Sequence, residues 1–394
     1  MKNIDKSILV SMVFSLILFV SGFGRYSNIF ITDEIPYPKI VDFLMANSRE
    51  IVGLLLLIFY LYLFNKYRGK FFVSMVVIVP IVIFHFFLSV KLLFNENPDW
   101  NRNILGAFLI IGIYRVFYEH LLLHLKSKAF DSSIKLVIAG WIVTVFYIYI
   151  TTGIDSLVWN DRYFFFSAHQ NHAGALWAFS SIYLASAIAL QKNRFNFIEL
   201  GMLLISASFL VATGSRGAMV AFIIGLCCLL ATTKSKYLPI LFAVIGVVGV
   251  SIAGSDFVVD FLANQIGRGN SRAGTYSDAI ESFLSYPWFG ETIADGRAIF
   301  VENTPLAFIQ TGGLVGLVLV SIFYLVLLIK LTKSYKLVQD KKILYVFLPM
   351  IFTGIAASFI EAYPLNFLTT GLFMLLLPTV FIEHWREFLT PESK

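Results

Sequence analysis

The chain has 394 residues, of which 58% are hydrophobic and 14% charged, and its mean hydropathy is +0.80. This composition excludes a soluble globular protein, in which about a quarter of the residues are charged. The net charge of +6 does not point to a nucleic-acid partner, and Cys227 and Cys228 are adjacent, which excludes a disulfide framework. We therefore expect an all-α polytopic membrane protein, because a backbone inside a bilayer must satisfy its polar groups within each helix.

Apolar runs of about 17–20 residues, the length that spans a bilayer core, recur along the whole chain. The first run, Ile8–Gly24, is longer than the core of a typical signal peptide and lacks a cleavage site of small residues, so we expect it to be retained as a span. The sequence predicts about twelve transmembrane helices, at 7–24, 51–65, 71–94, 104–122, 134–152, 172–191, 196–212, 217–232, 237–254, 305–331, 343–361 and 365–382. Only the residues GSRG separate the seventh and eighth, which are expected to form a tight hairpin or one long bent helix.

The placement of basic residues predicts the orientation of these spans. If both termini lie inside, most of the 30 lysines and arginines fall in inner segments, and every short inner loop is basic. The chain is then one multi-pass domain over 1–394 in the inner (plasma) membrane, with a large outer loop at 255–304. Its polar motifs face the periplasmic or outer side, where cells keep no ATP or nucleotide sugars, so a reaction there needs a lipid-linked or otherwise pre-activated donor.

The first polar motif along the chain is RYFFFSAHQNHAG, Arg162 to Gly174. Asn171 opens the sixth span, nine residues after Arg162, and His169 lies two residues before it. Two imidazoles three residues apart, without a cysteine or nearby carboxylate, do not make a metal site. The motif indicates either an interfacial loop that caps the sixth span or a polar site shaped by Arg162 and Asn171.

The second motif, TGSRGAM, lies between the seventh and eighth spans. Its two glycines permit a tight backbone path, and Ser215 is placed to cap the helix that follows. A helix N-terminus beside Arg216 would be a binding site for an anion. The alternative is a plain turn whose arginine extends to the lipid headgroups.

The third motif, IGRGNSRAGTYSDAIESFLSYPWFGE, covers 266–291. Thr275 and Asp278 have the spacing of a capping box, and Arg268 and Arg272 come just before them. Apolar residues follow at helical spacing, which predicts a short amphipathic helix on the membrane surface, with Tyr276, Ala279, Ile280, Phe283 and Leu284 on one face. The arginines would bind a substrate or, alternatively, anchor the loop to acidic headgroups.

The fourth motif, VENTPLAFIQTGGLVGLVL, opens the tenth span. Glu302 and Asn303 precede Pro305, a residue that suits the first turn of a helix. The glycines that follow allow close contact with a neighbouring helix. Glu302 has either a chemical role or the simpler one of compensating the helix dipole.

In their order and spacing, these four motifs resemble the bacterial O-antigen ligase and polymerase family. The resemblance covers 162–317 and rests on Arg-x8-Asn before a span, SRGA after the next, an arginine-bearing loop with an amphipathic helix and PWFG, and the Asn and Gly pattern that starts at Asn303. It implies transfer of a glycan from undecaprenyl pyrophosphate to an acceptor hydroxyl on the outer face of the inner membrane, within a frame similar to the GT-C membrane glycosyltransferases. Ligases attach the glycan to lipid A–core, whereas polymerases attach it to the next lipid-linked repeat unit.

The sequence departs from the family pattern at two places, and because polymerases vary more in these motifs, the first departure favours a polymerase over a ligase. The family commonly has His-Asn where this chain has Glu302 and Asn303, and that histidine is tied to ligase activity. Thr292 replaces the second glycine of the family's Gly-x-Gly after the loop helix. The resemblance also implies a separate chain-length regulator as a partner, beside the lipid-linked oligosaccharide and membrane lipid.

The residue types in the motifs suit this chemistry. A pyrophosphate leaving group gains negative charge as it departs, and guanidinium groups bind phosphate oxygens well; the candidates are Arg216, Arg268, Arg272 and Arg162. No acidic cluster has the spacing of Mg²⁺ ligands, so we expect neither metal nor cofactor. An acceptor hydroxyl needs a base, for which the candidates, in order, are Glu302, His169 and Asp278. Direct displacement would invert the anomeric centre, and the predicted substrate-binding residues are Asn171, Asn303, Ser215 and Tyr276.

A transporter or flippase of the same lipid-linked sugar is the main alternative outside the enzymes. It would have internal repeats and polar residues near the middle of the bilayer. The sequence has no clear repeat, and its polar motifs concentrate on one side. Arg115 and His85 do lie within predicted spans, where an ionisable residue is a functional candidate, but Arg115 could equally pair within the protein.

Overall fold

A computed structural model describes most of the chain. The described residues are 6–23, 37–66, 73–96, 100–159, 162–167, 170–190, 196–233, 272–291, 303–338, 341–359 and 370–389. The predicted ninth span, 237–254, lies outside them, as do Glu302, His169 and Arg268 among the predicted site residues.

Within this part of the chain the fold is helical, which confirms the predicted class. Its α-helices are α1 (Lys6–Val20), α2 (Lys39–Lys66), α3 (Val79–Phe94), α4 (Trp100–His124), α5 (Lys128–Thr152), α6 (Gln170–Ala189), α7 (Phe197–Ala212), α8 (Arg216–Thr232), α9 (Arg272–Ser285), α10 (Thr304–Leu337), α11 (Lys341–Ser358) and α12 (Thr370–Leu389). A 3-10 turn at Ile154–Leu157 precedes a two-residue hairpin of β1 (Val158–Trp159) and β2 (Arg162–Tyr163).

Five of the described helices are long and apolar enough to cross a membrane, by length and composition: Lys39–Leu63, Trp100–His124, Lys128–Thr152, Asn171–Ala189 and Thr304–Leu337. Five further apolar helices are shorter, at Lys6–Val20, Val79–Phe94, Phe197–Ala212, Arg216–Thr232 and Lys342–Ser358. These helices are those expected of a membrane protein. The number of spans and their orientation stay predictions.

Contacts between helix termini define two ends of the bundle. At one end the Ser167 hydroxyl, just before α6, donates to the carbonyl of Gly22, just after α1, at 2.9 Å. At the other end His124, the last residue of α4, lies 2.9 Å from the Ser11 hydroxyl in the first half of α1. We call the end that holds Ser167 the motif end, because the first motif begins α6 there.

The second predicted span starts earlier than expected, because α2 begins at Lys39. The polar stretch before residue 51 was predicted to be a loop, yet it is helical up to a kink at Asn47, where φ is −118° and ψ is 18°. The physical reason is a buried stripe, Val41, Met45 and Ser48, that continues at helical spacing into the apolar part of α2.

The seventh and eighth spans form two separate helices, α7 and α8. Gly214 lies between them with a φ of +59°, a conformation that a residue with a side chain rarely adopts. Both helices pack against α6, and they touch each other little. The single bent helix is thereby excluded: a short turn joins two helices, as in the predicted hairpin, and both of them contact α6 more than each other.

Buried charge collects at the opposite end of the bundle. The Arg115 guanidinium pairs with Glu119 one turn further along α4, and the Lys6 ammonium lies 2.8 Å from the same carboxylate. In α12, the Glu383 carboxylate accepts hydrogen bonds from the Tyr114 hydroxyl at 2.7 Å and from the Val76 amide, in the turn just before α3, also at 2.7 Å. Arg115 thus pairs internally, and Glu383 joins α12 to α4 and to the turn before α3.

Candidate functional site at the motif end

The first and second motifs touch where α6 and α8 begin. A Cβ atom added to Gly174 would lie 2.6 Å from Cβ of Ser215 and 2.9 Å from its hydroxyl oxygen, closer than side-chain atoms can approach. The Ser215 hydroxyl is buried and accepts the Ala218 amide at 3.4 Å, which confirms the predicted cap of α8. Glycine at position 174 therefore lets the N-terminus of α8 rest directly on α6.

Arg216 is the first residue of α8, and its side chain is exposed at the motif end. The residues before it are buried, and the Ser215 amide donates to the Thr213 hydroxyl at 3.2 Å. This closed turn holds the start of α8 while Arg216 extends away from it. The predicted arrangement of an arginine beside a helix N-terminus is thereby present, and its binding of an anion stays a prediction.

The aromatic run before α6, Phe164 to Phe166, is buried within the protein. Phe165 is 1% exposed and has a φ of +57°, which is strained for a residue with a side chain. Its ring lies 5.6 Å from Trp177 and 4.9 Å from Phe209, measured between centroids. The Tyr37 hydroxyl donates to its carbonyl at 2.8 Å, and burial, aided by Asp42, raises the pKa of that hydroxyl, which keeps it a donor. These contacts hold the segment just before α6 against α6, α7 and Tyr37.

The third and fourth motifs meet at a break in α10. At Gly313 the backbone leaves the helical region, with φ of +56° and ψ of −138°. In an unbroken helix the amides of Leu314 and Val315 would donate to the carbonyls of Gln310 and Thr311. Here the two amides donate instead to the carbonyls that follow α9, those of residue 287 at 2.7 Å and residue 288 at 3.4 Å.

The chain segment that fills this break is PWFGE, residues 287–291, which we call the PWFGE segment. Besides accepting the two amides, it donates the Glu291 amide to the Gln310 carbonyl at 2.9 Å. It is tied back to α9 by the Ser282 hydroxyl, which donates to the Glu291 carboxylate at 2.9 Å. Two motifs that the sequence presents as separate features therefore form one backbone-paired unit.

Two glycines make this contact possible. A Cβ atom at Gly290 would lie 2.5 Å from the Thr311 carbonyl carbon, and one at Gly313 would lie 2.6 Å from the Gly290 nitrogen. Both glycines also have positive φ, +72° and +56°. By contrast Gly312 faces a side chain, with Phe84 of α3 at 2.5 Å from its added Cβ. The predicted close helix contact is confirmed at Gly312, whereas Gly313 serves the break.

Lys91, near the end of α3, completes this unit, although it is not among the residues predicted for the site. Its ammonium donates to the carbonyls of Phe289 at 2.8 Å, Glu291 at 2.5 Å and Thr311 at 2.9 Å. In the sequence it is a single lysine at the end of an apolar run, the usual pattern of a residue that extends to the membrane surface. No local signal separates such a lysine from one that binds backbone carbonyls.

Asn303 holds the start of α10. Its side-chain oxygen accepts the Leu306 amide at 3.0 Å, and its side-chain nitrogen donates to the Phe359 carbonyl, just after α11, at 2.5 Å. Further along, α11 packs closely on α8, where a Cβ atom at Gly225 would lie 3.0 Å from the Pro349 carbonyl oxygen. Helix α11 therefore contacts both pairs of motifs: its end accepts a hydrogen bond from Asn303 of the fourth motif, and it packs on α8, which begins in the second motif.

The amphipathic loop helix exists, but it begins earlier than predicted. It starts at Arg272, so Thr275 is a helical residue and the proposed capping box with Asp278 is wrong. Ala279 is fully buried against its neighbours, whereas Ile280 and Leu284 are 52% and 72% exposed. The predicted apolar face is thus only partly covered by protein.

Of the predicted site residues, the structure describes some fully and others in part. At the motif end it describes Asn171, which is 6% exposed, with Ser215, Arg216 and Asn303. On α9 it describes Tyr276, which is half-buried, and Asp278, which is exposed. For Arg162 and Arg272 it describes the backbone alone. The roles predicted for all of these residues stay predictions.

Neither models of known protein families nor the sequences of characterised proteins match this chain. A function must therefore be argued from the motifs and their geometry.

Proposed function

We propose that this protein is a polymerase of O-antigen or a related surface polysaccharide. It transfers the growing glycan from undecaprenyl pyrophosphate to the hydroxyl at the non-reducing end of a new lipid-linked repeat unit. The observation that carries the proposal is the interlocking of the four motifs in pairs, Gly174 against Ser215 and Gly290 against Gly313. In each pair the close contact requires glycine, at position 174 in the first pair and at positions 290 and 313 in the second.

In this proposal the leaving pyrophosphate is bound by arginines near the N-terminus of α8. Arg216 is exposed beside that N-terminus, and the other members of the set are Arg268, Arg272 and Arg162. Guanidinium groups stay charged and match phosphate oxygens in geometry, so they stabilise the charge that develops as the bond breaks. The transfer is metal-independent in this scheme, since the arginines neutralise the leaving group.

The acceptor hydroxyl loses its proton to a base as it attacks the anomeric carbon, with inversion. Glu302 is the first candidate, because the next residue, Asn303, is held by hydrogen bonds on both sides of its amide. A base attached to a fixed backbone can be kept within reach of a proton. The protein acts in this scheme in the inner membrane, with its site on the periplasmic or outer face and a chain-length regulator as a partner.

Deletion of the gene tests the reaction class in the cell. A lost polymerase leaves single repeat units on the acceptor. Long chains held on undecaprenyl pyrophosphate would instead indicate a ligase, and repeat units stranded inside the cell would indicate a flippase. A glycan ladder of normal length would contradict the proposal.

A second test uses the purified protein and a lipid-linked repeat unit, with chain extension as the assay. Arg216→Lys and Arg272→Lys are each expected to lower the rate by roughly a hundredfold, because lysine lacks the planar fork that binds two phosphate oxygens. Glu302→Gln is expected to lower the rate by about a hundredfold or more, because it removes the base. Arg386→Lys is the matched control, because Arg386 is exposed near the end of α12, at the opposite end. Full activity in all three site variants would refute the assigned site.

A further inference from the structure

The break in α10 frees four backbone groups, and one of them accepts a hydrogen bond from a side chain. The amides of Leu314 and Val315 and the carbonyl of Gln310 all bond to the backbone of the PWFGE segment. The carbonyl of Thr311 bonds to the Lys91 ammonium at 2.9 Å. The backbone of the PWFGE segment thus bonds three of the four groups, and Lys91 bonds the fourth.

We propose that Lys91 is a positioning residue of the transferase reaction, acting by locking the PWFGE segment into the broken helix α10; the inference rests on the function proposed above. Its three ammonium protons have three carbonyl acceptors, two in the segment and one in α10. One residue of α3 thereby joins three parts of the chain. A side chain that cannot donate hydrogen bonds cannot make this junction.

The lock matters to the site because the PWFGE segment directly follows α9. The Gly290 amide donates to the Tyr286 carbonyl at 3.0 Å, and the Ser282 hydroxyl donates to the Glu291 carboxylate. These hydrogen bonds attach the segment to the end of α9. The first residue of α9 is Arg272, one of the proposed pyrophosphate ligands. If the segment were released from α10, Arg272 would be displaced relative to the start of α10, where Asn303 lies.

Charge alone does not account for the arrangement. All three acceptors are main-chain carbonyls, and a tetrahedral ammonium can direct its donors to acceptors on different sides. An arginine keeps the charge, but its planar fork directs donors into one plane. Replacement by arginine is therefore expected to preserve part of the junction, and replacement by methionine none of it.

The test measures position and activity separately. With Cys227 and Cys228 replaced by alanine, spin labels are placed at two exposed positions, Glu281 on α9 and Asn101 at the start of α4. The protein as purified is expected to give a narrow distance distribution. Lys91→Met is expected to broaden it by several ångströms. Lys39→Met is the matched control and leaves it narrow, because Lys39 is an exposed lysine at the first residue of α2, also at the motif end.

In the extension assay, with rates expressed per mole of folded protein, Lys91→Met is expected to lower kcat/KM for the lipid-linked donor by about a hundredfold, as misplacement by about 1 Å can. Lys91→Arg is expected to lose less than tenfold. A narrow distance distribution in Lys91→Met, or equal losses in the two variants, would overturn the lock. Absence of extension by the unaltered protein would overturn the proposed function instead, and the distance measurement would still decide the lock.

Discussion

Replacing Gly313 by alanine tests the break in α10 most directly. Its backbone has φ of +56° and ψ of −138°, a region that costs a residue with a side chain about 1–3 kcal/mol. The added methyl group would also lie 2.6 Å from the Gly290 nitrogen and 2.7 Å from the Pro287 carbonyl oxygen. Both atoms belong to backbone and cannot rotate away, so overpacking adds about 1–3 kcal/mol. Together these terms lower the free energy of unfolding by about 2–6 kcal/mol.

Unfolding in mixed detergent micelles, followed by tryptophan fluorescence, measures this loss. Gly201→Ala is the control, because Gly201 lies inside α7 and, among the described residues outside its own helix, no atom comes within 4 Å of its added Cβ. That variant is expected to gain about 0.5–1 kcal/mol, the usual preference of a helix for alanine over glycine. If Gly313→Ala proves as stable as Gly201→Ala, the reasoning about the break is wrong.

Two further substitutions test other junctions in the same assay. Ser215→Ala removes the cap of α8 and is expected to cost about 1 kcal/mol, whereas Ser277→Ala, on the exposed side of α9, should stay within about 0.5 kcal/mol; equal stabilities would contradict the cap. Glu383→Gln replaces a carboxylate oxygen that accepts from Tyr114 or from the Val76 amide just before α3, and is expected to cost about 1–3 kcal/mol. Glu281→Gln is its exposed control, and a Glu383→Gln variant as stable as this control would show that Glu383 does not hold α3.

Features that depend on neighbours along the chain were predictable. The helical class follows from composition, because long apolar runs leave the backbone no other way to satisfy its hydrogen bonds in a membrane. The start of α8 followed from Ser215 and the start of α10 from Pro305, since capping and proline geometry act within one turn. The short helix after residue 271 was also predicted from apolar spacing, although its first turn was placed too late.

Features that depend on distant partners were decided by the tertiary structure alone. Gly290 and Gly313 belong to motifs that look independent, and only their backbone contact explains both. Lys91 binds carbonyls 198, 200 and 220 residues further along the chain, and nothing near it in sequence announces them. The sequence by itself determined that the chain forms apolar helices and where several of them begin, because those outcomes depend on local energies. Which motifs meet, and where a helix must break so that they can, depends on packing between residues far apart in sequence.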